Sequence, residues 1–157
     1  MSAPGPLRIL VDADACPVKE EIYKVALRHG VEVAVVSNSA FRIPRHDLVR
    51  RVVVSDGFDA ADDWIAGEAD GNAVVVTADI LLAERCLKAG AGVIGNNGRP
   101  FTMASIGGAV ATRAIMADLR AGADGIAGGP PPFARADRSR VLQALDEALV
   151  KLRRQAG

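Results

Sequence analysis

The stretch "NAVVVTADILLAERCLKAGAGVIG", residues 72–95, changes its hydrophobic period twice, and the fold follows from that change. "NAVVVTA" (72–78) is short, β-branched and apolar at every central position, which predicts a strand buried on both faces of a parallel sheet. From 79 to 90 the apolar residues fall at helical spacing, and Gly90 sits just past the predicted helix end. "AGVIG" (91–95) is a second short apolar run. Strand, helix and strand in this order form a βαβ unit, whose crossover is right-handed.

The same alternation extends in both directions. "LRILVDA" (7–13), "VEVAVVS" (31–37) and "RVVVS" (51–55) read as three further strands. Residues 17–29 and 59–69 read as helices, with Ile22, Val25 and Ala26 forming one apolar stripe, Pro17 at a first helical position and Gly30 past the end. Two more helices are predicted near 103–121 and 137–154. Between them "AGADGIAGGPPPFARAD" reads as a loop that lets the last helix dock on the sheet. The predicted architecture is α/β: a three-layer α/β/α sandwich around a five-stranded, mainly parallel sheet of order 3-2-1-4-5. Residues 1–6 read as a disordered tail and 7–157 as one domain.

Composition narrows the classes of function. Half of the 157 residues are hydrophobic, enough for a sizeable core. Nineteen basic residues balance nineteen acidic ones, which excludes a polycation that binds nucleic acid by bulk charge. Cys16 and Cys86 have no framework spacing, so reduced thiols in a cytoplasmic protein are expected. No apolar run approaches the roughly 20 residues that span a bilayer, and "MSAPGPLRIL" lacks the features of a signal peptide.

The candidate chemistry lies in the aspartates. Ligands of open parallel sheets bind outside the carboxyl ends of the strands. Asp12 and Asp14 follow the first predicted strand, Asp56 the third and Asp79 the fourth, while Asp62 and Asp63 fall in a first helical turn. With strands 1 and 4 adjacent, Asp12, Asp14 and Asp79 converge. Carboxylates so close raise one another's pKa unless a cation compensates. Mg²⁺ or Mn²⁺ is the expected cation, since it takes hard oxygen ligands and bridges to phosphate. A plainer reading competes with this one: Asp59 and Asp14 can cap helices, and acids in a first turn meet the helix dipole favourably.

Other residues carry weaker signals. "SNSAFRIPRHDLVRR" gathers Arg42, Arg45, His46, Arg50 and Arg51 after the second strand, a phosphate-steering loop or a solvated surface. Asn38 opens that loop. In "GNNGRPFT", Asn96 and Asn97 can touch a ligand or make a tight turn. Asn38, Arg42, Arg45 and Asn96 are the candidate substrate-binding residues. Cys16, at a predicted helix N-terminus, has an expected lowered pKa but no evident base. Cys86 and Trp64 read as core. Arg113 and Arg138 read as partners for acids, with Arg138 anchoring the last helix.

Taken together, "VDADACP", "SNSAFRIP", "GFDAADDWI", "VVTADILLA" and "GGPPPFARADR" resemble the YaiI/YqxD family of bacterial proteins, grouped by fold with the PIN-like nucleases. The resemblance runs from about Leu7 to the final helix. It implies a parallel sheet whose acidic residues hold one or two divalent metals and cut RNA. On that pattern Asp12 matches the acid ending the first strand, Asp79 the acid of the "T-x-D" turn, and Asp62 the acid of a "D-x-x-I-A" helix. Asp14 belongs to the family's own motif. Asp12, Asp14 and Asp79 are thus expected to bind metal, and Asp62 to ligate it or orient water. The PIN-like pattern also has a mid-chain glutamate, which has no match here between Val31 and Asp59. That departure favours a second reading, a module that binds RNA or nucleotide without cutting it. A third is a haloacid-dehalogenase-type phosphatase, because "ILVDADAC" mimics its "D-x-D" strand; no later lysine motif accompanies it.

Overall fold

The computed structural model describes residues 7–13, 16, 18–38, 42–55, 57, 59–108 and 135–156. In chain order its elements are β1 (Arg8–Asp12), α1 (Lys19–His29), β2 (Glu32–Ser37), β3 (Val49–Val53), α2 (Ala60–Glu68), β4 (Ala73–Val76), α3 (Ile80–Lys88), β5 (Gly92–Ile94) and β6 (Pro100–Phe101). Residues 103–108 are helical (α4), and α5 spans Arg135–Ala156. The predicted tail 1–6, and most of the predicted helix 103–121 and of the loop after it, lie outside the described residues.

The sheet has the order β3-β2-β1-β4-β5-β6. Its first five strands are parallel, and β6 joins antiparallel, with Val93 opposite Phe101. Among the described residues the sheet therefore has six strands rather than the expected five. The sixth is two residues long and begins with a proline, which a strand tolerates at its first position or at an edge. The third strand also starts two residues earlier than expected. Arg50 and Arg51 are exposed within it, because β3 is an edge strand.

Alternation along the strands builds two cores. Ile9, Val11, Val33, Val35, Val74 and Val76 face Ile22, Val25, Val141, Leu145 and Leu149, on the side of α1 and α5. Leu10, Ala34, Val36, Val75 and Val93 face Ile65, Leu82, Cys86 and Ile106, on the side of α2, α3 and α4. This is a sheet covered by helices on both faces. The continuous apolar runs in the sequence follow from it, since neither face of a central strand meets water.

Local signals position the helices. Gly30 ends α1 at φ 67°, in the left-handed region, and its N–H bonds back to carbonyls of α1. At the start of α4, Thr102 Oγ1 accepts from the Ser105 N–H while Ser105 Oγ accepts from the Thr102 N–H, a reciprocal cap. Gly98, at φ 82°, lies against α5: a Cβ there would stand 2.5 Å from Arg140 C and Val141 N. Only glycine fits both the dihedral and the contact. Arg138 anchors α5 to α1 through Glu21 at 3.1 Å.

Candidate active site

The β1–β4 boundary is where the chain switches the direction in which it adds strands, the place where open parallel sheets bind their ligands, at the carboxyl ends of these two strands. Register places the side chains. Val11 is opposite Val76, so Asp12 comes level with Thr77. Asp12 shares the parity of Leu10, and Thr77 that of Val75, so both leave the sheet on the α2/α3 side.

Thr77 is fully buried and joins two of the aspartates. Its Oγ1 donates to Asp12 Oδ2 at 2.9 Å and accepts from the Asp79 N–H at 3.0 Å. Asp79 in turn caps α3: its Oδ1 accepts from the N–H groups of Leu81 at 2.9 Å and Leu82 at 3.2 Å. One oxygen of Asp79 is thus committed to structure. Thr77 has no role in the sequence reading, although its place two residues before a capping aspartate, just after a strand, was the available signal.

Asp62 faces this pair from the first turn of α2. Burial, then the negative charges of Asp79, Asp12 and Asp59, push its carboxyl up to about 6, with Arg85 partly offsetting them. Arg85 is drawn away by an ion pair with Asp63 at 2.9 Å, which also ties α3 to α2. Asp12, Asp62 and Asp79 therefore lie within electrostatic reach of one another. Among the described residues, however, no three His, Cys, Asp or Glu side chains form a group that could hold a metal ion. Asp14 and Asp56 lie outside the described residues.

The donor chemistry still suits a hard cation. Mg²⁺ and Mn²⁺ prefer carboxylate oxygens, and Mg²⁺ keeps several of its waters when one or two carboxylates hold it. Asp12 and Asp79 could supply those two. Positive charge between them would also offset the share of the Asp62 shift that their charges add to that of burial.

The remaining candidates are more dispersed. Asn38 is exposed directly after β2, at the same end of the sheet. Residues 42–48 lead into the amino end of β3, and Ile43 packs on the α1/α5 core. Arg42 and Arg45 are exposed in this segment. Arg50 pairs with Glu32 at 2.9 Å and lies over the Trp64 ring. Asn96 is half-buried after β5, while Asn97 makes the turn, its Oδ1 accepting from the Arg99 N–H.

Three expectations need correction or restriction. Burial pushes the Cys16 thiol up, outweighing the nearby Lys19 and the bond from the Val18 backbone, so the expected lowering does not occur. Asp59 stands at the start of α2 but makes no side-chain cap. Arg113 lies outside the described residues. Cys86 is buried in the α2/α3 core and Trp64 packs against it, as expected.

The chain matches, over residues 10–151, the family described as "Uncharacterized BCR, YaiI/YqxD family". It belongs to the YaiI/YqxD family. The UPF0178 protein of Sphingopyxis alaskensis is 70% identical over 154 residues, covering 98% of each chain. That of Azorhizobium caulinodans is 59% identical over 155 residues, 98% of this chain and 97% of the relative. That of Nitrobacter winogradskyi is 55% identical over 148 residues, 94% of each chain. No solved structure matches this YaiI/YqxD family member. Among its described residues, no helix is long and apolar enough to cross a membrane.

Proposed function

We propose that this protein is a divalent-metal-dependent phosphodiesterase acting on RNA, with its reaction centred on Asp12, Asp62 and Asp79. Asp14 joins them by its place in the "DADACP" motif. The observation that carries this reading is Asp62, whose carboxyl is pushed up to about 6 by burial and by the charges of Asp79 and Asp12. A group of acids at the topological switch point, only partly offset by Arg85, suits a site that receives a cation with its phosphate substrate. The motif resemblance to PIN-like nucleases supports the same assignment.

Asp12 and Asp79, with Asp14, would hold Mg²⁺ or Mn²⁺, and the chemistry the cation supplies when bound is polarisation of a phosphoryl oxygen. Thr77 keeps the Asp12 carboxylate oriented and fixes the start of the Asp79 turn. Asp62 orients water on the α2 side and accepts its proton, a role suited to a carboxyl whose pKa lies near the working pH. Asn38 sits at the same rim to meet substrate.

The test is cleavage of single-stranded RNA with Mn²⁺ or Mg²⁺ by the wild type and by Asp12→Asn. Metal-dependent cleavage lost in the variant supports the reading; equal activity in both, or none with any metal, sinks it. A second reading, RNA or nucleotide binding without cleavage, is favoured by the commitment of Asp79 Oδ1 to capping α3. It predicts RNA affinity that survives chelation of metal, with no product formed.

A further inference from the structure

The proposed function leaves the arginines of residues 42–55 unused. Residues 42–55 carry four arginines against one acid, Asp47, in a chain whose basic and acidic residues balance overall. β3 pairs with β2 on one side only, and among the described residues no strand pairs with its outer edge. Arg50, Arg51 and Val53 are exposed along it, Val53 by 51%. Arg42 and Arg45 are exposed on the crossover that precedes it and make no hydrogen bond or ion pair among the described residues. The Arg50 guanidinium lies 5.8 Å from the centre of the Trp64 ring.

We propose that the outer edge of β3, together with the preceding crossover, is the track along which a single-stranded nucleic acid reaches the carboxylate rim. The direction of this track rests on the phosphodiesterase reading above. Five residues of strand extend about 16 Å, and the segment that follows β3 in sequence holds Asp59, Asp62 and Asp63. Phosphates meet the arginines along the edge, and a base stacks with the Arg50–Trp64 pair, since aromatic and guanidinium planes accept any base. A second copy of this chain is a poor occupant, because pairing two β3 edges would bring Arg50 and Arg51 of both copies together. An acidic peptide matches the charge of the edge, but its carboxylates have no use at a rim of aspartates.

The experiment is fluorescence-anisotropy binding of a labelled mixed-sequence RNA of about twelve nucleotides to the full chain in EDTA, over a salt series. The proteins are the wild type, Arg42→Ala/Arg45→Ala and Glu32→Gln. Each phosphate contact contributes about 0.7 to the slope of log K against log salt for a single strand. The double variant should lower that slope by about 1.4 and weaken binding about tenfold or more at low salt. Glu32→Gln, which frees Arg50, should tighten binding, and this gain also guards against mistaking misfolding for lost contacts. Photocrosslinking of a thiouridine-bearing RNA should map to residues 50–64. An unchanged slope, crosslinks elsewhere, or tighter binding of a polyglutamate peptide of equal charge would each overturn the proposal. Because binding is read without metal, failure of the track is distinguishable from failure of the phosphodiesterase reading, which is scored by cleavage.

Discussion

Asp62 holds its proton more tightly in the folded protein than in the unfolded chain, where its pKa returns towards 3.8. A group raised on folding favours the native state at low pH, and that contribution is lost as pH rises through the folded value of about 6. Asp62→Asn removes the charge without removing the shape. At about pH 8 the variant should be more stable than the wild type by about 1 kcal/mol, a figure reduced for the solvent that reaches the side chain. Below about pH 3.5 the two should coincide. Thermal melts across pH check this, and adding Mg²⁺ should close the gap at high pH by stabilising the wild type more. A gap independent of pH would mean that folding does not raise the Asp62 pKa. Thr77 makes a complementary prediction. Thr77→Val keeps the buried volume but removes the acceptor of the Asp79 N–H and the Thr77 hydroxyl's bond to Asp12. It should lose about 1–3 kcal/mol in denaturant titrations, while Thr77→Ser should retain most of the stability.

At the scale of elements, Asp79 has two tasks that substitution can separate. Asp79→Ala removes the cap of α3 and should lower stability by about 1 kcal/mol, whereas Asp79→Asn caps nearly as well and should not. Both lose the negative charge, so under the proposed function both should lose metal-dependent cleavage. Activity retained by the asparagine variant would reduce Asp79 to a cap. The strand ends that carry Asp12 and Asp79 were legible in the sequence because buried parallel strands announce themselves as short apolar runs, and an acid ending such a run stands out. The helices were legible from spacing, Gly30 and Gly90. β6 was not, because two residues carry no periodicity. β3 was placed late because Arg50 and Arg51 suit an edge strand yet break an apolar run. The Cys16 expectation failed because helix position was weighed without burial, which sequence does not display. The bridge through Thr77 depends on the register of two strands 65 residues apart, which no local pattern encodes.

At the scale of the whole molecule, α5 closes the α1 face of the sheet, and long-range polar contacts hold it there. Val141, Leu145 and Leu149 are fully buried at helical spacing, and Arg153 donates to the His29 carbonyl at the end of α1. Asp146 lies 2.6 Å from His29 Nε2 and 2.8 Å from Arg28 Nη2. The His29 hydrogen bond, and then Arg28, hold its carboxyl below the usual carboxylate range. Here the sign is the reverse of Asp62. A depressed pKa gives stability that is present above the unfolded value and lost as pH falls through the folded one. Asp146→Asn should therefore be less stable than the wild type at neutral pH and converge with it in strong acid. Chemical denaturation at several pH values measures this, and a gap that persisted undiminished in acid would assign the contact to packing rather than charge. The two aspartates sit on opposite faces of the sheet with no shared partner, so their effects should add. The double variant Asp62→Asn/Asp146→Asn should then show a flatter pH profile than either single variant, because each removes a slope of opposite sign. A profile steeper than both would show that charge on one face is felt through the sheet on the other.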